Sequence, residues 1–213
     1  MFNNQNKFSA KRKLSHYFER TYDVKGRFSS YWHQVDEIIS LQPEKVLEVG
    51  IGNSFVSNYL KERGIDITSI DVFHGLRPNI TASVLAIPFC DETFDVIACY
   101  EVLEHLPYND FPNALKELAR VSQRHIILSV PDITTVYRFY IELPKIKAIK
   151  KLIPHPFHRV TGHKFDDEHH WEIGKKGYNL QRIKLDIINS GLNILKTYRV
   201  FEFYYHRFFV LTK

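Results

Sequence analysis

Cysteine is scarce in this sequence, and no apolar run is long enough to cross a bilayer. Cys90 and Cys99 are the only two cysteines among 213 residues. Because they lack metal-ligand spacing, they exclude a disulfide framework and a zinc centre, and we expect reduced thiols. Residues 1–13 are polar and basic, from which we expect no signal peptide and a cytoplasmic protein. The absence of internal repeats excludes a solenoid.

Two of the few glycines, Gly50 and Gly52, directly follow a strand-like segment and indicate a ligand-binding turn. Residues 46–49 are apolar and β-prone apart from Glu48, as in a buried parallel strand, and Gly50 and Gly52 follow them directly. Two glycines there allow a sharp turn with no side chain in the way of a ligand. Asn53 or Ser54 then caps a helix, whose first amides would point at an anionic group of that ligand.

An acidic residue narrows the class of ligand. Asp71 ends the next apolar run and follows the glycines by about 20 residues, the distance at which a carboxylate binds ribose hydroxyls in nucleotide sites. A pyrophosphate-binding fingerprint would require glycine or alanine at position 55, where this chain has Phe55. The pattern therefore favours a nucleoside-containing ligand and weighs against NAD or FAD. A glycine turn without any ligand is the alternative interpretation.

Strand-like and helix-like segments alternate along the chain. We expect helices over 28–41, from Asp110 through Ser122, and from Asn179 to just before Gly191. Seven strands are expected near 45–49, 65–71, 82–86, 94–100, 125–130, 192–201 and 205–212. This order predicts an α/β fold with a doubly wound, Rossmann-like, seven-stranded sheet.

One segment connects these signals to a family. Residues 85–106, LAIPFCDETFDVIACYEVLEHL, together with the loop EVGIGNS and Asp71, resemble the small class I S-adenosylmethionine-dependent methyltransferases of the "type 11" group. The resemblance runs from about residue 45 to the C-terminus, where YHRFFVL is similar to the family's final strand. It implies S-adenosyl-L-methionine as cofactor and a mostly parallel sheet that closes with an antiparallel C-terminal strand pair.

The resemblance also implies which residues bind the cofactor. The glycine loop would line its methionine and ribose, Asp71 its ribose hydroxyls and Val72 its adenine. Ser83 stands where many relatives place an aspartate, so the adenine contact passes to it or to the next two backbone amides. The full expected set is Glu48, Gly50, Gly52, Asn53, Asp71, Val72, Ser83, Val84, Leu85, Tyr100 and Glu101, the last two facing the methyl group.

A dense polar segment, residues 162–172, is the expected acceptor side. His169 or His170 would act as a base for a hydroxyl group, with Trp171 as a stacking wall and Glu172 as a further substrate contact. The alternative is that a histidine and Trp171 only anchor the loop. His105 is a third catalytic candidate, although a structural role suits it better.

No metal is predicted. The alternative is a metal site built from His163, Asp166 and His169 or His170, but these residues have no defined ligand spacing. Tyr17, Tyr22 and Tyr31 would either cover the cofactor or lie in the core.

A basic and apolar excursion, residues 131–162, follows the fifth expected strand. Part of it is expected to be a basic amphipathic helix, which would form a lid, a membrane-contacting patch within 138–159, or a packed helix. We expect one domain over 1–213, with a helical cap at 1–43, the cofactor core at 45–130, the excursion or lid at 131–178, and the last helix and closing strands at 179–213.

The expected function is methyl transfer to a small-molecule, sugar or lipid-linked acceptor, most simply at oxygen. The net charge of +5 raises an alternative, an RNA-binding protein or RNA methyltransferase. A catalytically silent interaction subunit of the same fold is a third interpretation. The sequence leaves the acceptor's identity and the oligomeric state open.

Overall fold

A seven-stranded sheet is the framework of the protein. The structure, a computed structural model, describes residues 15–165 and 168–213. The strands of the sheet are β1 (Lys45–Val49), β2 (Asp66–Asp71), β3 (Ile80–Thr81), β4 (Phe94–Tyr100), β5 (Ser122–Pro131), β8 (Asn193–Arg199) and β9 (His206–Thr212). Their order is β3-β2-β1-β4-β5-β9-β8, in which β1 to β5 run parallel and β9 runs antiparallel to both neighbours. The predicted fold class is confirmed.

Helices cover both faces of this sheet, which explains why its central strands are apolar throughout. Helices α1 (Lys25–Ser40) and α2 (Phe55–Glu62) pack on one face, and α3 (Phe111–Val121) and α4 (Leu180–Asn189) on the other. Val46 belongs to the first core and Leu47 to the second, as the alternation of a strand requires. Every residue of β4 is buried. Among the described residues, no helix has both the length and the apolar character needed to cross a membrane.

Two predictions about local structure are wrong. The strand expected at 82–86 is a turn, in which the amide of Ala86 donates to the carbonyl of Ser83, while the short strand β3 lies just before it. The Ser83 hydroxyl accepts from the amide of Leu85, and such local bonding competes with strand pairing. Asp110 does not cap α3, because it already has helical dihedral angles at the end of a 3₁₀ turn. The predicted cap of α4 is confirmed, since Asn179 Oδ1 accepts from the amide of Arg182.

The excursion after β5 contains a β-hairpin rather than the predicted amphipathic helix. Strands β6 (Val136–Leu143) and β7 (Ile146–Pro154) pair antiparallel and form a separate two-stranded sheet. Tyr137, Phe139 and Ile141 alternate with more polar neighbours at a period of two, which is the strand period. The hairpin extends from the carboxyl end of β5, the same edge of the main sheet at which β1, β2 and β4 end.

Candidate active site

The order of the strands creates a crevice at one edge of the sheet. From β1 the chain moves to β2 and β3 on one side and then returns to β4 on the other. In open α/β sheets such a switch point, outside the carboxyl ends of the strands, is where ligands bind. Gly50 follows β1, Asp71 ends β2 and Glu101 follows β4. Three of the residues predicted from sequence are therefore brought to one edge.

The glycine loop needs its glycines for backbone reasons. Gly50 has φ +83°, and a Cβ built on it would lie 2.3 Å from Val102 Cγ2. Gly52 has φ +50°, and its built Cβ would lie 3.8 Å from the ring of Tyr17. Both are positive-φ positions, which L side chains seldom adopt. Ser54 also has positive φ and makes no side-chain cap at the start of α2.

Asn53 fixes this loop to the N-terminal segment. Its Oδ1 accepts from the amide of Phe55, 3.1 Å away, which tightens the entry to α2. Its Nδ2 donates to Asp23 Oδ1 and to the hydroxyl of Tyr31, at 3.1 and 3.0 Å. The Asn53 side chain is thus engaged with protein groups, and its backbone remains at the start of the helix.

Asp71 is held at the mouth of the crevice by backbone amides. Its Oδ2 accepts from the amide of Ile51 at 3.1 Å and its Oδ1 from that of Phe73 at 2.8 Å. Burial raises the pKa of the Asp71 carboxyl, while the amide of Phe73 opposes that shift. Val72, beside it, is 71% exposed and so offers an apolar surface at the edge of the crevice. Each carboxylate oxygen retains a free lone pair for a further donor.

The turn expected to contact adenine lies near this edge, but its groups differ in accessibility. Val84 is buried in the core, whereas Leu85 is 38% exposed. The amide of Leu85 donates to the Ser83 hydroxyl at 3.2 Å, so this amide has an internal partner.

Glu48 and Tyr100 are buried among core groups. The hydroxyl of Ser57 donates to Glu48 Oε2, and burial raises the pKa of Glu48 to about 7. The Tyr100 hydroxyl donates to the backbone carbonyl of Gln34 on α1, and its ring packs near that of Phe208. The expectation that the Tyr100 side chain faces the transferred methyl is therefore corrected, because the ring belongs to the core beneath α1.

Glu101 lies at the end of β4 in a strained conformation. Its φ is +52°, in the left-handed region that non-glycine residues seldom occupy, and such strain clusters at functional sites. Its Oε1 is buried without a hydrogen-bond partner, and burial raises the pKa of the carboxyl to about 7. Oε2 lies 3.5 Å from Nε2 of His206. Burial lowers the pKa of His206 to about 3, so this contact joins a neutral imidazole to Glu101 rather than forming an ion pair.

A histidine and a carboxylate face each other on the acceptor side. Nδ1 of His169 lies 3.2 Å from Oε1 of Glu172, and the Tyr205 hydroxyl donates to the same oxygen at 2.5 Å. The hydrogen bond with His169 is the main cause that lowers the pKa of Glu172. An ionised carboxylate only accepts, so Nδ1 of His169 carries the proton in this hydrogen bond.

The other predicted acceptor-side residues occupy different places. His105 is exposed, donates from Nδ1 to the carbonyl of Glu168 at 2.9 Å, and its ring centroid lies 5.0 Å from that of His169. His170 is half-buried against Phe165. Trp171 is fully buried and packs edge-on against Tyr108 and Phe111. The expected stacking of substrate on Trp171 is corrected: this ring anchors the segment in the core.

Glu104 was not selected from sequence, yet it lies at the centre of this cluster. Both of its carboxyl oxygens are buried without a hydrogen-bond partner, and burial raises the pKa of this carboxyl well above its usual range. Glu104, His105 and His169 offer ligand atoms that all lie within 4.8 Å of one another. Elsewhere, His163 donates from Nε2 to the carbonyl of His169, and Asp166 lies outside the described residues.

The N-terminal segment covers the crevice. The Tyr17 ring lies against Gly52, and burial is the main cause that raises its pKa, with Asp71 contributing. Arg27 stacks on Tyr22 at 3.9 Å and favours the ionised form of Glu101. These side chains lie over both the cofactor side and the acceptor side.

The comparisons with known proteins identify this architecture. Residues 47–128 match the family model described as "Methyltransferase domain". These residues thus form a methyltransferase domain, and solved S-adenosylmethionine-dependent methyltransferases share the fold of the whole chain. The resemblance predicted from the glycine loop, Asp71 and residues 85–106 is thereby confirmed.

Curated relatives of this methyltransferase match only part of its length. Ubiquinone biosynthesis O-methyltransferase of Pseudomonas entomophila (strain L48) is 37% identical over 34% of this chain and 38% of the relative. The protein of the same name from Stutzerimonas stutzeri (strain A1501) is 35% identical over the same shares. The chain thus covers 38% of the length of these relatives.

Solved methyltransferases share the whole fold. Magnesium protoporphyrin IX methyltransferase from Synechocystis PCC 6803, solved with bound SAH, has a TM-score of 0.63 and 16% identity, covering 99% of this chain and 95% of that chain. The 1,6-didemethyltoxoflavin-N1-methyltransferase of Burkholderia thailandensis has a TM-score of 0.61 and 11% identity, covering 100% and 91%. At such identities the likeness shows the shared fold.

Proposed function

We propose that this methyltransferase transfers the methyl group of S-adenosylmethionine to a hydroxyl oxygen of a small-molecule acceptor, with His169 as general base. The arrangement of His169, Glu172 and Tyr205 carries the proposal. An oxygen acceptor must lose a proton, and an oriented imidazole is the usual group to take it. The printed name of the curated relatives, an O-methyltransferase, supports the choice of oxygen.

The groups at the crevice fit the cofactor. Asp71 retains lone pairs for the ribose hydroxyls, and exposed Val72 offers an apolar surface for adenine. The unpartnered Oε1 of Glu101 complements a cationic ligand. When bound, S-adenosylmethionine supplies an electrophilic methyl group on a sulfonium. The protein then has only to hold the acceptor in line and remove its proton.

Proton transfer falls to the acceptor-side residues. Glu172, kept ionised by its hydrogen bonds, holds His169 with Nδ1 protonated, so that Nε2 is the nitrogen that would take the proton of the acceptor. Glu172 also stabilises the imidazolium that forms. Tyr205 fixes Glu172 in place. Such base catalysis contributes roughly 10²- to 10⁴-fold.

Two measurements in sequence test the proposal. Calorimetric titration with S-adenosylhomocysteine first tests whether the predicted cofactor-binding site binds this product of the reaction. Methyl-labelled S-adenosylmethionine is then incubated with phenolic, sugar and lipid-linked hydroxyl compounds, and with the same compounds O-methylated. We expect label only on free hydroxyls, and a loss of roughly 10²-fold in kcat for His169→Ala, as general-base catalysis implies, with unchanged S-adenosylhomocysteine affinity.

Each contrary outcome has a distinct meaning. No binding of S-adenosylhomocysteine by wild type would favour a catalytically silent subunit. Label incorporated into RNA but not small acceptors would favour an RNA methyltransferase. Activity abolished by EDTA and restored by Mg²⁺ would mean that a cation bound near Glu104, His105 and His169, rather than a base, activates the acceptor.

The proposed place of action is the cytoplasm, where the free thiols of Cys90 and Cys99 would stay reduced.

A further inference from the structure

The β6–β7 hairpin presents an apolar face to solvent. Alternation along the strands places six apolar side chains on one side, and each is between 40% and 54% exposed. We name this surface the apolar hairpin face; it consists of Tyr137, Phe139, Ile141, Leu143, Ile149 and Ile153. Soluble proteins rarely expose a contiguous apolar surface unless it binds a partner.

Contacts of the opposite face fix the orientation of the hairpin. Lys150 Nζ lies 2.6 Å from Glu202 Oε1, and the ring centroid of Tyr140 lies 6.4 Å from that of Phe201. Both Lys150 and Tyr140 alternate with members of the apolar hairpin face. Since the polar side is attached to the body of the protein, the apolar side is the one directed outward.

The charges around this face are predominantly positive. Residues 136–154 contain five basic residues and a single acidic one, Glu142. Lys145 and Lys147 lie at the tip, and Lys151, which pairs across the strands with Phe139, lies on the same side between Ile149 and Ile153. Exposed apolar side chains bordered by lysines are the combination that binds the interface of an anionic bilayer.

Other occupants fit these residues less well. A second copy related by two-fold symmetry would bring the same lysines toward one another, and like charges at an interface are unfavourable. Single-stranded RNA would suit the lysines and the two aromatic rings. Ile141, Ile149 and Ile153, however, offer bases and phosphates neither stacking nor hydrogen bonds.

We propose that the apolar hairpin face docks on the surface of a membrane that contains anionic phospholipid. The hairpin starts shortly after β5 ends at Pro131, at the edge of the sheet that holds the active site. Docking would therefore keep the crevice close to the lipid surface. Such docking requires no bound cofactor and is independent of methyl transfer.

Vesicle sedimentation tests the apolar part. The 213-residue chain without cofactor is mixed with phosphatidylcholine vesicles that do or do not contain phosphatidylglycerol. We expect wild type to sediment with the anionic vesicles and Ile141→Ser/Ile149→Ser, a cross-strand pair, to lose about tenfold in affinity. Leu185→Ser/Ile188→Ser is the matched control, because these side chains are 58% and 54% exposed on α4, and it should bind like wild type.

A second pair of variants tests the charges. Lys147→Glu/Lys151→Glu should lose the preference for phosphatidylglycerol, whereas Lys116→Glu/Lys176→Glu, exposed lysines outside the hairpin, should retain it. Equal sedimentation of wild type and the serine pair would overturn the proposal. So would a wild-type dimer that Ile141→Ser/Ile149→Ser dissociates, or salt-sensitive RNA binding in the absence of vesicle binding. Methyl transfer measured separately keeps this outcome distinct from that of the proposed activity.

Discussion

The hydroxyl of Tyr205 lies 2.5 Å from Oε1 of Glu172, across 33 residues of sequence. The same carboxylate oxygen faces Nδ1 of His169. A carboxylate that is fixed from one side and hydrogen-bonded to an imidazole on the other sets the tautomer of that imidazole. The Tyr205–Glu172 hydrogen bond therefore connects the residue just before β9 to the acceptor side of the crevice.

Replacing this carboxylate should affect turnover more than binding. We expect Glu172→Gln to lower kcat by about 10²-fold, because the amide neither sets the His169 tautomer nor stabilises the imidazolium. Tyr205→Phe should lower it less, since Glu172 stays charged. The measurement is steady-state kinetics with S-adenosylhomocysteine affinity determined in parallel. Glu62→Gln, at the exposed end of α2, is the control and should turn over like wild type. A Glu172→Gln variant in which only KM changes, with kcat unaltered, would contradict the role assigned to Glu172.

Asp71 should dominate the affinity for the cofactor. We expect Asp71→Ala to weaken S-adenosylhomocysteine binding by roughly 10²- to 10⁴-fold, because two hydrogen bonds to a charged carboxylate contribute about 1.5–3 kcal/mol each. Asp66→Ala, exposed at the opposite end of β2, should bind normally. Calorimetry gives the affinities and thermal melts report whether the loop amides of Ile51 and Phe73 tolerate the change. Equal affinity in a folded Asp71→Ala protein would remove the ribose contact.

The cofactor half of the site was predictable because its signals are local. Gly50, Gly52 and Asp71 lie within 22 residues of one another, and each is required by backbone geometry or by its strand end. The acceptor half depends on contacts that no short pattern contains. Tyr205 meets Glu172 only because β9 returns beside β5, and this pairing is not visible in either segment.

The errors have physical causes that the sequence contained in part. Trp171 was placed at the substrate because its neighbours are polar, but its own apolar ring fills the core next to α3. In the excursion, the basic residues suggested a helical stripe, while Tyr137, Phe139 and Ile141 followed the period of a strand. Tyr100 was assigned by position in the family, and its alternation on β4 directs the ring to α1 instead.

Gly50 should be much less tolerant of substitution than another glycine of similar backbone conformation. Gly50 and Gly64 have φ of +83° and +79°, so alanine at either place incurs the same strain, about 1–2 kcal/mol. Only at Gly50 would the new Cβ meet Val102 Cγ2 at 2.3 Å, whereas nothing lies within 4 Å of it at Gly64. We expect Gly50→Ala to unfold at lower denaturant than Gly64→Ala and to bind S-adenosylhomocysteine more weakly. Equal stability losses would mean that Val102 moves aside freely.

Glu48 should make stability depend on pH near neutrality. Its pKa in the folded protein is raised by burial to about 7, from an ordinary value of 4.5. Between these two values the folded state binds more protons than the unfolded state, so the free energy of unfolding falls as pH rises through this window. The destabilisation caused by ionising buried Glu48 is therefore absent below pH 4.5 and fully present above about pH 7.

Glu48→Gln removes this titration while retaining an oxygen for the Ser57 hydroxyl. We therefore expect the variant to gain stability over wild type as pH rises, from little difference at pH 5 to about 1–3 kcal/mol at pH 8. Urea unfolding at pH 5, 6.5 and 8 measures the difference, with Glu62→Gln as an exposed control that should show none. A difference between Glu48→Gln and wild type that stays constant across this range would mean that Glu48 titrates alike in both states, and that burial leaves its proton affinity unchanged.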